Sequence, residues 1–237
     1  MDVVNTPPIV DVIIPAFNEE KSIAKVIGDI PAGVRHVVVT NNNSTDRTAE
    51  VATAAGAQVV FEPQKGYGKA CLTAMDWIKQ HEVQPDILVF LDGDYSDYPE
   101  ELELLIAPIL GGKADLVIGS RSLGQREAGS MTFPQVFGNG LATLLMRWMY
   151  GAKFSDLGPF RAISWRELMG LGMVDQNFGW TIEMQIKAHQ AGLRYQEVPV
   201  QYRKRIGVSK VSGTVKGVIG AGYKIIFTIF KYWRPIR

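Results

Sequence analysis

Short apolar runs alternate with amphipathic runs along the first half of the chain. The apolar runs are typical of strands buried in a parallel sheet: VDVIIPAF, RHVVVT, AQVVF, PDILVFL and ADLVIGS. Between them, apolar residues recur at intervals of three or four, as at Ile23, Val26, Ile27 and Ile30, which predicts helices. This alternation predicts an α/β fold with a mostly parallel, Rossmann-like sheet and helices on both faces.

The pattern changes after Arg121, where the polar stretch LGQREAGSMTFP predicts a loop. The segments VFGNGLATLLMRWMY and WTIEMQIKAHQ then predict helices, and the alternation in LRYQEVPVQYR predicts a strand. We interpret DLGPFRAI as a turn that leads into a short segment. Because no repeat or linker divides the chain, we expect one domain over residues 1–212. An amphipathic basic helix over residues 213–237 either belongs to that domain or faces a membrane.

Composition places the chain among ordinary globular proteins and excludes several classes. Of its 237 residues, 46% are hydrophobic and 21% are charged, and the single cysteine, Cys71, excludes a disulfide framework. We find no secretory signal and no apolar run of the roughly 20 residues that a membrane span needs. The absence of GxGxxG and P-loop motifs argues against a dinucleotide dehydrogenase or an NTPase. We therefore expect a cytoplasmic protein, with no more than peripheral contact with the inner membrane face.

Basic residues are concentrated at the C-terminal end of the chain. The formal net charge is +1, but residues 198–237 contain nine Lys or Arg and no Asp or Glu, which leaves 16 basic residues against 24 acidic ones elsewhere. A basic end on an acidic body suggests contact with an anion, whether a phosphate, a nucleic acid or a lipid head group. A solvated basic tail would give the same composition, so composition leaves both interpretations open.

The segment FLDGDYSDYPEEL places three carboxylates, Asp92, Asp94 and Asp97, directly after an apolar strand. Carboxylates beside a buried strand end cost free energy unless a cation or hydrogen-bond donors compensate them. An isolated D-G-D is more often a solvent-facing turn, but ligands bind at the carboxyl ends of strands in such sheets. We therefore predict that Asp92 and Asp94 hold Mg²⁺ or Mn²⁺, because such ions combine one or two protein carboxylates with substrate phosphates.

The order of the motifs resembles that of family 2 glycosyltransferases with the GT-A fold. The motifs lie within residues 10–210, and their ordered series is more specific than any one of them: VDVIIPAFNEE, NNNSTDRT, KGYGKA, FLDGDYSDYPEEL, IGSR and DLGPFRAI. The chain looks most like the branch that contains dolichyl-phosphate and polyprenyl-phosphate hexose synthases. The resemblance implies a metal-dependent, inverting enzyme that moves a hexose from a nucleotide-diphosphate sugar to a lipid phosphate, with no nucleic acid as partner.

The resemblance also implies roles for individual residues of this chain. Asp92 and Asp94 match the pair that holds the metal against the diphosphate, and Lys69 lies at a predicted helix start that could face a phosphate. Arg121 and Arg161 are candidates for phosphate or acceptor contacts, although surface ion pairs would also explain them. The other substrate-binding residues lie in the nucleoside loop, at the second strand end and in the acidic turn: Pro15, Ala16, Phe17, Asn18, Glu19, Asn41, Asn43 and Gly93.

Asn41 departs from the family pattern, which usually has an Asp that contacts the base. An amide both donates and accepts hydrogen bonds, which suits uracil better than guanine. We therefore favour a UDP-hexose as donor and keep GDP-mannose as an alternative. The departure also leaves open a non-catalytic protein that only binds a nucleotide sugar.

The need for a general base depends on the acceptor, because a phosphate is already anionic whereas a hydroxyl must lose a proton. Asp156 and Glu183 are the acidic candidates, and Arg121 completes the predicted catalytic set. Asp156 could instead cap a turn, and Glu183 could lie on a helix surface. An alternative function therefore keeps the same donor but uses a hydroxyl acceptor, either a glycolipid or a small molecule.

The lipid-phosphate hypothesis depends on the segment YRKRIGVSKVSG. Its residues Arg205, Ser209 and Lys210 resemble the basic segment that meets the acceptor phosphate in lipid-phosphate glycosyltransferases. Beyond it, a predicted helix separates apolar from basic residues: Val215, Val218, Ile219, Gly222, Ile225, Ile226, Ile229 and Trp233 against Lys216, Lys224, Lys231 and Arg234. We expect this helix either to pack on the domain or to lie in a membrane interface as a peripheral contact.

Overall fold

A computed structural model describes residues 7–207 and 215–233 of the chain. Seven strands are present in this part: β1 (Val10–Ala16), β2 (Val34–Asn41), β3 (Gln58–Phe61), β4 (Ile87–Phe90), β5 (Leu116–Ser120), β6 (Arg161–Ser164) and β7 (Tyr195–Pro199). They form one sheet in the order β3-β2-β1-β4-β6-β5-β7. The sheet confirms the predicted α/β class.

Six of the seven strands run in the same direction. β1 pairs in parallel with β2 and β4, β2 with β3, and β5 with β7. β6 lies between β4 and β5 and is antiparallel to both. The sequence prediction missed β6 because the strand is four residues long and begins with the buried Arg161, so no apolar run reveals it. The ends of β1, β2, β4 and β5 consequently share one edge of the sheet.

Helices cover both faces of the sheet, as predicted. Their bounds are α1 (Ile23–Gly28), α2 (Thr48–Ala54), α3 (Tyr67–Lys79), α4 (Leu102–Leu110), α5 (Phe133–Tyr150), α6 (Trp165–Leu171), α7 (Trp180–Gln190) and α8 (Val215–Tyr232), with a 3₁₀ turn at Pro99–Glu101. Alternate residues of β1 enter two separate cores. Ile13 belongs to the core that contains residues of α3, α5, α6, α7 and α8, whereas Val12 and Ile14 belong to the core that contains residues of α1, α2 and α4. Burial on both faces explains why the strands are apolar at successive positions.

The C-terminal helix α8 packs against α5 and α7. Ile229 is fully buried in the contact, and the Tyr150 hydroxyl of α5 donates to the Ile229 carbonyl at 2.5 Å. The predicted division into an apolar face and a basic face is wrong in detail. Ile219 is exposed, whereas Lys224 forms an ion pair of 2.9 Å with Asp175 of the protein body. The helix has apolar residues on two sides, and the tertiary contacts bury only one of these sides.

No helix within residues 7–207 and 215–233 is long and apolar enough to cross a membrane. The predicted boundary between residues 212 and 213 lies outside the described residues, as do the predicted acceptor-binding residues Ser209 and Lys210.

Candidate active site

A cavity of about 600 Å³ opens at the sheet edge where β1 and β4 end. One side, which we call the strand-end wall, consists of residues at these strand ends and in the turns after them: Pro15, Ala16, Phe17, Glu19, Asp92, Gly93 and Asp94. A second side, the helical wall, consists of residues from α5 and α8: Pro134, Gln135, Gly138, Asn139, Val218, Ala221 and Ile225. The volume is within the range of small-molecule and cofactor sites.

The predicted nucleoside loop after β1 contributes four of its five residues to the strand-end wall: Pro15, Ala16, Phe17 and Glu19. Asn18 has a left-handed backbone with φ of 56°, and its Oδ1 accepts a hydrogen bond of 2.8 Å from the Thr45 backbone nitrogen. This contact ties the loop to the segment after β2. The ammonium of Lys65 lies 4.4 Å from the centroid of the Phe17 ring and also lines the cavity. The sequence interpretation overlooked Lys65, although it directly precedes the GYG motif.

Asp92 and Asp94 lie together on the strand-end wall with different partners. Asp92 is half-buried, and its Oδ1 accepts a hydrogen bond of 3.1 Å from the Tyr67 hydroxyl. Burial and the nearby charge of Asp94 raise the pKa of Asp92 to about 7. Asp94 accepts a hydrogen bond of 2.9 Å from the Ser96 backbone nitrogen and forms an ion pair with the Arg205 guanidinium. Arg205, which was predicted to contact the acceptor, lines the cavity.

The acidic turn also holds Asp97, which is only 1% exposed. Neither of its carboxylate oxygens has a hydrogen-bond partner in the described part of the chain. Burial, followed by the charges of Asp92 and Asp94, raises its pKa well above the usual range. Tyr95, in the same turn, has a left-handed backbone with φ of 66°. The Arg203 guanidinium lies 3.4 Å from the centroid of the Tyr95 ring. A left-handed tyrosine is a strained conformation of the kind found at functional sites.

A buried ion pair joins the end of β5 to the segment before β6. Arg121 donates from Nε and Nη2 to the two carboxylate oxygens of Asp156 at 2.9 and 2.7 Å, and its backbone nitrogen donates to Oδ2 at 2.7 Å. Burial lowers the pKa of Arg121, but the charge of Asp156 and the hydrogen bonds to it together outweigh burial and raise that pKa overall. Arg121 lines the cavity, whereas Asp156 is fully buried behind it. In this arrangement the Asp156 carboxylate is not free to accept a proton from an acceptor.

The family model described as "Glycosyl transferase family 2" matches residues 11–167, which is more than half of the chain. The chain belongs to glycosyltransferase family 2. An uncharacterized glycosyltransferase of Mycobacterium tuberculosis is 37% identical over 232 residues, which cover 96% of this chain and 97% of the relative. A dolichyl-phosphate hexose transferase of Haloferax volcanii is 30% identical over 205 residues, with 84% and 85% covered.

Solved structures agree on the GT-A fold. Glucosyl-3-phosphoglycerate synthase from Mycobacterium tuberculosis, crystallised with Mn²⁺, UDP-glucose and phosphoglyceric acid, superimposes with a TM-score of 0.73 at 24% identity. The match covers 94% of this glycosyltransferase and 79% of that chain. At this identity the likeness shows the fold, and not the substrate.

The acidic turn of this glycosyltransferase fits a divalent cation only in part. Within residues 7–207 and 215–233, no group of three or more His, Cys, Asp or Glu side chains is arranged to hold a metal ion. Asp92 and Asp94 nevertheless supply two adjacent carboxylates, and burial and mutual repulsion disfavour charge on Asp92. Such a pair suits a cation whose remaining ligands are substrate phosphates and water. The two carboxylates therefore fit a cation that is held together with a diphosphate, and not one held by the protein alone.

Glu183 does not line the cavity, although it was a candidate base. It is fully buried in α7 and accepts hydrogen bonds of 2.7 Å from the Asp175 backbone nitrogen and 2.7 Å from the Tyr232 hydroxyl. Its carboxylate also pairs with Lys187 at 2.8 Å. These contacts fasten α7 and α8 to the segment between α6 and α7.

Arg161 and Lys69 likewise lie away from the cavity lining. Arg161 is fully buried in β6 and donates to the carbonyls of Gly158 at 3.0 Å and Thr181 at 3.0 Å, and burial lowers its pKa to about 10. Lys69 pairs with Glu62 at 3.4 Å. The two cations predicted to meet phosphates therefore contact the protein itself in this structure.

The three asparagines at the end of β2 and directly after it form hydrogen bonds within the protein. Asn41 Oδ1 accepts a hydrogen bond of 3.0 Å from the Ser44 backbone nitrogen, and Asn43 Nδ2 donates to the Pro63 carbonyl at 3.3 Å. Asn42, which was not predicted, is the one of the three that lines the cavity, and its Oδ1 accepts a hydrogen bond of 2.8 Å from the Gly66 nitrogen. Asn41, from which a preference for uridine was inferred, is not part of the cavity lining.

The glycines of KGYGKA allow a close backbone contact. A Cβ on Gly68 would lie 2.0 Å from the Asp175 carbonyl oxygen, and one on Gly66 would lie 2.2 Å from the Gln176 carbonyl oxygen. The nitrogen of Lys69 in turn donates to the Gln176 carbonyl at 2.9 Å. These contacts bring residues 175–178 beside the start of α3, where Asn177 and Phe178 join Tyr67 in the cavity lining. The sequence interpretation missed Tyr67 and Tyr202, which both line the cavity. Each is an aromatic residue beside a glycine-rich or basic motif, and that position is the signal that could have identified them.

Proposed function

We propose that this glycosyltransferase moves a hexose from a UDP-hexose to a lipid phosphate, with Mg²⁺ or Mn²⁺ held by Asp92 and Asp94. The observation that carries the proposal is that one cavity combines the carboxylates of the strand-end wall with the apolar side chains of the helical wall. The carboxylates suit a cation and its diphosphate, and the apolar side chains suit a lipid. The similarity to a dolichyl-phosphate hexose transferase supports the acceptor, and a UDP-glucose complex of the same fold supports the donor.

In the proposed reaction, an oxygen of the acceptor phosphate attacks the anomeric carbon of the hexose. The bond between that carbon and the diphosphate oxygen breaks, with inversion, and the electron pair remains on the diphosphate. The bound cation would neutralise charge on that leaving group. Asp92 and Asp94 would orient the diphosphate, and Arg205 would contact phosphate oxygens, because its guanidinium already lies at the cavity beside Asp94.

The state of the two candidate bases supports a phosphate acceptor over a hydroxyl. Asp156 is held by Arg121, and Glu183 is held by Lys187 and Tyr232 outside the cavity lining. A hydroxyl acceptor would have to lose its proton to such a carboxylate, whereas a phosphate is already anionic. A small phosphorylated hydroxy acid is the second candidate acceptor, because the structural neighbour was crystallised with phosphoglyceric acid.

The first test measures nucleotide binding by calorimetry, with UDP, GDP and their hexose conjugates in the presence and absence of Mn²⁺. We expect UDP to bind only in the presence of Mn²⁺. The Asp92→Asn/Asp94→Asn variant should bind UDP at least about 100-fold more weakly, because loss of the cation removes several kcal/mol of charge stabilisation from the bound diphosphate. Asp76→Asn/Glu82→Gln removes two exposed carboxylates and serves as the charge-matched control. Equal binding by both double variants would exclude the assigned cation site.

The second test measures transfer of labelled hexose to a short-chain polyprenyl phosphate and, separately, to 3-phosphoglycerate. Labelled lipid alone would support the proposal, and labelled phosphoglycerate would favour the second candidate. Nucleotide binding without turnover on either acceptor, or on a wider panel of hydroxyl acceptors, would identify a non-catalytic nucleotide-sugar-binding protein.

A further inference from the structure

Residues 202–206 run along the acidic turn that follows β4. The backbone nitrogen of Arg203 donates to the Ser96 carbonyl at 2.9 Å. The backbone nitrogen of Ile206 donates to the Asp94 carbonyl, also at 2.9 Å. The conformation of the acidic turn therefore depends on a segment that is distant in the sequence.

Tyr95 is the residue of the turn that most needs such support. Its backbone is left-handed, with φ of 66°, and this region is unfavourable for a residue with a bulky side chain. The Asp94 carboxylate accepts a hydrogen bond of 2.9 Å from the Ser96 nitrogen, so this bond spans Tyr95. A change in the backbone of Tyr95 would break that bond and redirect the Asp94 carboxylate.

The side chain of Arg203 holds Tyr95 in this conformation. Its Nε donates to the Tyr95 carbonyl at 2.8 Å, and its Nη2 donates to the Asp97 carbonyl at 3.1 Å. The guanidinium also lies 3.4 Å from the centroid of the Tyr95 ring and 4.1 Å from that of the Tyr98 ring. Cations are attracted to aromatic rings at such distances. One side chain thus contacts both the backbone and the ring of Tyr95.

Arg203 makes these contacts from outside the cavity. Its side chain is 18% exposed, and its Nη2 lies 4.0 Å from the carboxylate of Asp29, which accepts a hydrogen bond of 2.5 Å from the Tyr95 hydroxyl. Arg203 does not line the cavity, whereas Asp92 and Asp94 do. Any effect of Arg203 on a bound ligand would therefore pass through the acidic turn.

We propose that Arg203 is a positioning residue for the cation site, because it holds Tyr95 in the left-handed conformation that keeps the Asp94 carboxylate beside that of Asp92. The inference deepens the proposed function and rests on the cation that is assigned there. Arginine suits this task better than lysine, since a planar guanidinium can stack on a ring and donate to two acceptors at fixed angles.

The test measures UDP binding to the full chain by calorimetry over a series of Mn²⁺ concentrations. We expect Arg203→Gln to need at least about tenfold more Mn²⁺ for half-maximal UDP binding, as is typical when a group that orients metal ligands is lost. At saturating Mn²⁺ this variant should bind UDP like the wild type, because excess cation fills a weakened site. A general loss of stability would not change the Mn²⁺ concentration that the folded molecules need.

Two further variants separate the shape of the turn from the charge of Arg203. Arg203→Lys keeps the charge but loses the planar, two-acceptor geometry, so it should need as much additional Mn²⁺ as Arg203→Gln. Adding Tyr95→Gly to Arg203→Gln should recover part of the lost Mn²⁺ affinity, because glycine adopts a left-handed backbone at little cost.

The matched control is Arg194→Gln, at the opposite edge of the sheet. Arg194 also pairs with a carboxylate, that of Asp115 at 2.5 Å, and donates to a turn carbonyl, that of Gly112 at 2.5 Å. It directly precedes β7, and Asp115 directly precedes β5, so both lie at the strand starts. We expect this variant to need the same Mn²⁺ concentration as the wild type.

Several results would overturn the inference. They are an unchanged Mn²⁺ requirement in Arg203→Gln, an equal change in Arg194→Gln, wild-type behaviour of Arg203→Lys, or no recovery on addition of Tyr95→Gly. UDP affinity that stays low at saturating Mn²⁺ would instead make Arg203 a nucleotide contact. Wild-type UDP binding that does not depend on Mn²⁺ would contradict the cation site of the proposed function itself, which distinguishes that failure from the others.

Discussion

The two walls of the cavity are built in opposite ways. The strand-end wall comes from the end of β1 and from short turns after β1 and β4, and its carboxylates are half-buried or buried. The helical wall comes from α5 and α8, which lie far apart in the sequence, and its residues are mostly small or apolar. The hydrogen bonds between strands fix the backbone at a strand end, so the polar groups there have fixed positions. Two packed helices instead present a long surface of mostly small or apolar side chains. One wall suits a charged, compact donor and the other an elongated apolar ligand.

The carboxylates of the two regions differ in how they are compensated. Asp156 and Glu183, behind and beside the helical wall, each accept several hydrogen bonds and an ion pair. Asp97 in the acidic turn has no hydrogen-bond partner in the described residues, and Asp92 has its bond from Tyr67. A buried carboxylate with its donors already in place stabilises the fold, whereas Asp92, which has one hydrogen bond and lines the cavity, is accessible to a ligand. The comparison therefore distinguishes structural acids from candidate functional acids.

The largest expected effect comes from breaking the Arg121–Asp156 pair. Arg121→Ala would leave the fully buried Asp156 charge uncompensated, which costs about 4 kcal/mol of unfolding free energy. Urea unfolding followed by circular dichroism measures this loss. Arg47→Ala, which breaks the exposed pair with Glu50, is the control and should leave the urea midpoint unchanged. If Arg121→Ala kept its stability and lost only transfer activity, Arg121 would be catalytic instead.

A smaller effect separates the two sides of α8. Ile229→Ala should lower the unfolding free energy by about 3 kcal/mol, because its side chain is fully buried between helices. Phe227→Ala, two residues earlier on the exposed side, should change it by less than about 0.5 kcal/mol. Both values come from the same urea titrations. Similar losses in the two variants would mean that Phe227 is packed in the core as Ile229 is.

The smallest effect, counted per pH unit, concerns the pH dependence of stability without metal. Because the folded-state pKa of Asp92 is raised to about 7, from about 4 in an unfolded chain, the folded protein binds the proton more tightly. Stability should therefore fall as pH rises from about 4 to 7, by at most about 1.4 kcal/mol per pH unit. Thermal unfolding in a chelator measures this slope.

Asp92→Asn should make that slope less steep, because it removes the titrating group. Asp76→Asn, an exposed control, should leave it unchanged. Addition of UDP and Mn²⁺ should recover stability at the higher pH, because the cation replaces the proton. A wild type whose stability rises between pH 5 and 7 in a chelator would contradict the assigned environment of Asp92.

The family, the fold and most of the strand-end wall could be predicted from the sequence. Apolar runs and helical spacing are local signals, and so is the D-G-D that follows an apolar strand. Asp92, Asp94, Arg121, Arg205 and four residues of the nucleoside loop lie together in the cavity lining, and their predicted roles stay predictions. Their common location could be predicted because the end of a parallel strand is both a sequence position and a place in the fold.

Tertiary structure decided the rest. Four charged residues contact the protein itself through partners up to about 50 residues away in the chain: Arg161, Lys69, Asp156 and Glu183. The type of a residue does not identify its partner, so the sequence could not show whether these side chains face a ligand or the protein. β6 escaped prediction because its pairing with β4 and β5, and not an apolar pattern, makes it a strand.

The helices show the same limit. The sequence by itself determined that α5 and α8 are rich in apolar residues and lack acidic ones. It could not determine which side of each helix enters the core, because both sides are apolar enough to pack. The core takes up Ala142 and Met146 of α5 and Ile229 of α8 and leaves the opposite side of each helix exposed, since a helix between a protein body and its surroundings can bury only one of its sides in that body.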